Sequence, residues 1–152
     1  MSEWVDEQTG RRIWVIDAHT TRDWPEAPPW RSPKFGLLLL AEHVFDVESL
    51  ARRALGQGLV WVSTWGPGCE VVDEDLDEIL GQVEPDSRVD EAVLTTTHPA
   101  ESLEEVLEFF LAAAEPSPGH VQGCEAWVVL GLGAEFQERV ARALVRRGAR
   151  EA

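Results

Sequence analysis

LVWVSTWGPGCEVVDEDLDEILGQ, residues 59–82, joins an unbroken apolar run to an amphipathic pattern across one tight turn. Leu59 to Trp65 is an apolar and β-branched run, without the polar alternation of a half-exposed strand, and so predicts a strand covered on both faces. The GPG that follows breaks the run. Val72, Leu76, Ile79, Leu80 and Val83 then recur at helical spacing, predicting an amphipathic helix from near Cys69 to about Gln82. A doubly covered strand turning directly into such a helix is half of a βαβ unit, which requires a parallel neighbour.

The same grammar extends in both directions. Phe35 to Ala41 (FGLLLLA) predicts a buried strand, followed by a helix from the N-cap Asp46 to about Gln57. Downstream, Glu91 to Thr97 predicts a strand, and ESLEEVLEFFLAAA (101–114) a helix with Ser102 and Glu105 at capping-box spacing. After EPSPGHVQG (115–123), read as flexible, Glu125 to Gly131 predicts a strand and Ala134 to Arg147 a last helix. Upstream, RRIWVID (11–17) predicts a strand at a sheet edge, and WPEAPPWRSP (24–33) an irregular extended connection pinned by its tryptophans. Strand–helix alternation of this kind predicts a three-layer, Rossmann-like α/β domain with a mostly parallel sheet of four to five strands and helices on both faces. Residues 1–33 are expected to pack as a Trp/Pro-rich segment on a single domain spanning 34–152.

Composition narrows the setting. The chain has 152 residues, 44% of them hydrophobic and 27% charged, which fits one globular domain. No apolar run approaches the roughly 18–20 residues of a membrane helix, and the acidic N-terminus does not read as a signal peptide, so a cytoplasmic location is expected. The net charge of −15 is concentrated: residues 67–115 hold 15 acids and a single base, Arg88. Such a surface repels nucleic-acid phosphates, so neither a nucleic-acid nor a membrane partner is expected.

The segments TWGPGCE and TTTHPAESLEEVLEFF resemble a small bacterial α/β domain family to which no activity attaches. The resemblance covers residues 34–132 and implies no catalytic or binding residue.

Chemistry in open parallel sheets gathers beyond the carboxyl ends of the strands. Those ends carry Glu42 and His43, then Ser63, Thr64, Trp65, Cys69 and Glu70, then Thr96, Thr97 and His98, and finally Gly131 and Gly133. Cys69 at a helix start is a candidate nucleophile, with His98 or His43 as its base. The same three side chains could ligate zinc, but no paired spacing supports it, and no metal or cofactor is expected. Cys124 precedes its strand and should lie too far from Cys69 for a disulfide. The expectation with most behind it is a protein-binding domain of the immunity- or antitoxin-like kind. It would meet a basic partner through Asp73, Glu74, Asp77, Glu78, Glu101, Glu104, Glu105 and Glu108. The alternative is a small-ligand protein or cysteine-dependent hydrolase with its site at the strand ends. Charge crowding also predicts that salt and mild acid stabilise the fold.

Overall fold

The computed structural model describes residues 1–84, 89–133 and 135–152. In chain order these form β1 (Ser2–Asp6), β2 (Arg12–Ala18), β3 (Lys34–Ala41), α1 (Glu48–Gly56), β4 (Leu59–Trp65) and α2 (Cys69–Val83). They continue with β5 (Leu94–His98), α3 (Leu103–Ala112), the single turn α4 (Pro118–Val121), β6 (Cys124–Leu132), α5 (Glu135–Arg147) and β7 (Ala149–Glu151).

All seven strands join one sheet in the order β5-β4-β3-β6-β2-β1-β7. The block from β5 to β2 is parallel, whereas β1 runs antiparallel to both β2 and β7. The sheet therefore exceeds the expected four to five strands. Two short strands escaped the sequence reading: β1 is masked by its acids, and β7 offers three residues with no apolar run. β2 is also not an edge strand, because β6 and β1 flank it. β5 starts at Leu94 rather than Glu91, since Val89–Glu91 forms a 3-10 turn. The stretch expected to be flexible before β6 contains α4, whose N-cap residue Ser117 donates to the Ala92 carbonyl at 2.7 Å. Ala134, expected to begin the last helix, lies outside the described residues.

Strand order reverses between β3 and β6, and right-handed crossovers leaving that point in opposite directions land on opposite faces. The two cores follow from this. One packs Leu50, Ala54, Val72 and Leu76 of α1 and α2 against Leu37, Leu39, Val62 and Val128. The other packs Leu103, Phe110, Phe136 and Leu144 of α3 and α5 against Leu38, Leu40, Trp61 and Val129. Each fully buried Leu, Phe or Val contributes roughly 1.5–3 kcal/mol of transfer free energy. The proline-rich connection is held on the α1/α2 face by Trp24 and Trp30, which pack on Phe35 with ring centroids 5.9 and 4.9 Å away.

The GPG turn sets where α2 begins. Gly66 has φ +115°, and a Cβ there would sit 1.9 Å from the Ala41 carbonyl oxygen. Gly68, at φ +80°, caps α2 directly above the Val44 side chain. Only glycine meets both demands, and the turn delivers Cys69 into the first turn of the helix.

Candidate functional site

Side-chain alternation along β5 separates the two residues that cysteine chemistry would have to bring together. Thr97 points to the α2 face and donates to Cys69 Sγ at 3.3 Å. His98, one residue on, points to the α3 face, where its ring packs on Phe109 at 4.8 Å. Cys69 itself is 4% exposed and packs with the α2 layer. The sheet thus stands between the proposed nucleophile and its proposed base. His43 is exposed and makes no hydrogen bond among the described residues. Among those residues no three His, Cys, Asp or Glu side chains are grouped to hold a metal ion, so His43, Cys69 and His98 do not form the zinc set weighed above. Cys69 and Cys124 are free thiols at opposite ends of parallel strands, and burial pushes the Cys124 thiol up to about 11.

His98 has partners of its own. Nδ1 donates to Glu101 Oε2 at 2.8 Å, and Nε2 shares a 2.9 Å hydrogen bond with Thr96 Oγ1. The chain runs on from Thr96 to Ser63 Oγ (2.7 Å), which accepts from Trp61 Nε1 at 2.9 Å. Hydroxyl, imidazole and carboxylate stand here in the order of a hydrolytic triad; the sequence places Ser63, Thr96 and His98 at the strand ends but not in one chain, because their joining depends on the pairing of β4 with β5. Its geometry argues for architecture rather than reaction. Ser63 is fully buried, His98 is 5% exposed, and the network lies under α3 with its hydroxyls already engaged. It satisfies polar groups that would otherwise be costly to bury, and it fixes the turn from β5 into α3, where Trp65 Nε1 also donates to the Glu101 carbonyl at 2.7 Å.

Room for a ligand is small at the strand ends and larger elsewhere. The cavity beside Cys69, between Phe45, Pro67 and Val72, measures about 10 Å³, close to the limit for a single water. A cleft of about 640 Å³ opens instead at the amino ends of β2 and β6, lined by Arg11, Cys124, Glu125 and Trp127 among others. Arg11 lies over the Trp127 ring, its Cζ 3.7 Å from the ring centre, and donates to the carbonyls of Phe110 and Ala114 at 2.8 and 2.7 Å. Its guanidinium thereby closes the C-terminus of α3, and burial lowers its pKa below the ordinary arginine value.

The eight acids expected to form one docking surface divide between the two faces. Asp73, Glu74, Asp77 and Glu78 belong to α2, and Glu104, Glu105 and Glu108 to α3 on the far side of the sheet, with Glu101 just before it. The α3 group is largely engaged. Glu108 pairs with Arg147, Glu104 with Arg146 at 3.9 Å and Glu101 with His98, while Glu105 accepts from the Ser102 hydroxyl at 3.2 Å. The α2 group is not. Glu70, Glu74, Asp75, Asp77 and Glu78 are exposed, and none pairs with a cationic side chain among the described residues. Asp77 accepts from the Thr95 hydroxyl at 2.8 Å. Asp73 is half-buried with Oδ1 unpartnered among the described residues; burial and then neighbouring Asp77 raise its carboxyl above the ordinary range.

No described helix is long and apolar enough to cross a membrane. Neither a curated protein nor a solved structure matches the chain. A family model described as Domain of unknown function (DUF7684) matches residues 13–147, a wider span than the 34–132 of the resemblance, and takes in Trp14, Trp24 and Trp30. The match covers the two core faces, the β5–α3 network and the acidic helix α2 alike: the chain belongs to the DUF7684 domain family.

Proposed function

We propose that this chain is a docking domain for a basic protein, engaged through the solvent face of α2. The observation that carries the reading is the contrast between the two acidic helices. The carboxylates of α3 are tied to arginines and caps of the same molecule, whereas Glu70, Glu74, Asp75, Asp77 and Glu78 along α2 have no ion-pair partner among the described residues. A row of uncompensated charge raises the encounter rate with an oppositely charged surface and disfavours acidic partners. An immunity- or antitoxin-like role, in which a small acidic body holds a basic protein, fits this face; Glu101, Glu104, Glu105 and Glu108 fall outside it.

The test pairs two charge reversals. Native partner is captured with the wild-type chain, with Asp73→Lys/Asp77→Lys/Glu78→Lys, and with Glu104→Lys/Glu105→Lys, at low and high salt. The expected result is a complex lost on reversing α2, kept on reversing α3 and weakened by salt. A complex indifferent to the α2 reversal overturns the proposal.

A further inference from the structure

The two ends of the sheet are guarded differently. β7 is three residues long, and two of them, Arg150 and Glu151, are charged. β5, at the other end, runs for five residues, Leu94–His98, with no proline, lysine or acid, and its ladder with β4 shows no register shift. Among the described residues its ladder partner is β4. An edge strand directs the N–H and C=O groups of alternate residues away from its neighbour, and an edge this regular and uncharged lacks the usual devices against further pairing.

What flanks that edge selects an occupant. Asp77 reaches β5 through its hydrogen bond from Thr95, and Asp73 stands one helical turn earlier, half-buried against the strand with its Oδ1 shielded from solvent. The next strand position lies only about 4.8 Å beyond β5, so its side chains on the α2 face would stand beside these carboxylates. On the other face it would meet the partly exposed Glu101. A second copy of the chain paired edge to edge about a two-fold axis would bring two α2 helices alongside each other, acid against acid. A helix offers no free backbone groups to the edge. We propose that β5 accepts one added strand, an extended basic segment of the partner whose alternate cationic side chains lie on Asp73 and Asp77. The inference rests on the α2 docking reading and gives that partner its shape: β-augmentation, in which backbone pairing supplies affinity and the alternate side chains supply selection.

The experiment uses the full chain and a synthetic peptide of about nine residues with lysine at every second position and Thr or Val between, long enough to span the edge. Two further peptides carry N-methyl groups on alternate residues, one in each register, so that one of them removes the donors that face β5. Expected are binding of the parent peptide, a tenfold or greater slowing of amide exchange in the segment 94–98, and about tenfold or more weaker binding of one N-methylated form. Asp73→Asn/Asp77→Asn should weaken the parent peptide and flatten its salt dependence. Equal binding of all three peptides without protection of 94–98, but with loss on reversing α2, overturns strand addition and leaves the docking reading standing. Protection of 94–98 that ignores the α2 charges overturns the basic chemistry of both. Absence of binding, or protection of 94–98 by a peptide-free dimer, overturns the inference.

Discussion

The Arg147 side chain is 7% exposed and joins two carboxylates, Asp6 at 3.2 Å and Glu108, tying α5 to β1 and to α3. Asp6 is completely buried; burial works to raise its carboxyl, but hydrogen bonds from Thr9 and Arg147 outweigh this and hold it below the ordinary range. Its contribution is therefore present above the unfolded value near 3.8 and is lost as pH falls through the depressed folded value. Arg147→Met should cost about 3–5 kcal/mol at neutral pH, because it strands a buried charge. Denaturant titrations should show that cost shrinking only as pH falls below about 3.8, where Asp6 begins to protonate. Asp73 behaves oppositely. Its raised carboxyl favours the fold below the unfolded pKa and ceases to do so as pH rises through the folded value. Asp73→Asn should accordingly raise the melting midpoint at pH 7.5 by about 1–2 °C, a gain that disappears at acid pH. The thiols give a third expectation. Cys69 is shielded by burial and should not react with a disulfide reagent until the chain unfolds, whereas Cys124, partly buried beside the cleft with its thiol raised from 9.0 to about 11, should react far more slowly than an ordinary thiol. Fast labelling of native Cys69 would contradict its burial in the first turn of α2.

At the scale of elements, the turn into α2 is the most constrained junction. Gly66→Ala introduces both a positive-φ penalty and a collision with the Ala41 carbonyl, and should destabilise by more than about 1 kcal/mol in thermal melts. The α2 start at Cys69 and the Ser102 cap of α3 were legible in the sequence because glycine pairs and capping boxes are local codes. The buried strands were legible for the same reason, since an unbroken apolar run needs no knowledge of its neighbours. What was not legible depended on neighbours. β1 acquires strand character from β2 and β7, and its inward Asp6 makes sense only beside Arg147, 141 residues away. Cys69 and His98 looked like partners because both lie at strand ends. A one-residue difference in register on β5 sent them to opposite faces. The division of the acids between α2 and α3 follows from the strand order, which no local pattern encodes.

Across the whole molecule, a net charge of −15 leaves repulsion along α2 and ion pairs at Arg12–Glu3, Arg52–Glu48 and Arg150–Glu7 opposing each other under salt. Exposed pairs of that kind contribute little, with a median of about 0–1 kcal/mol, so repulsion should dominate. Added salt should therefore raise the midpoint at pH 7.5, and the rise should be smaller in Asp77→Lys/Glu78→Lys. Melts in which salt lowers the wild-type midpoint would mean that attraction prevails. The aromatic cluster that pins the proline-rich connection has an optical consequence. The chain holds seven tryptophans and no tyrosine, so its near-ultraviolet emission comes from indole. Trp24 and Trp30 lie 5.9 Å apart, edge to face, and Trp14 and Trp30 6.5 Å apart and tilted, inclined geometries in which neighbouring chromophores couple and give paired circular-dichroism bands of opposite sign. Undocking that connection would erase the couplet while leaving the helical signal intact, which makes the cluster a native gauge of this one segment without any added label.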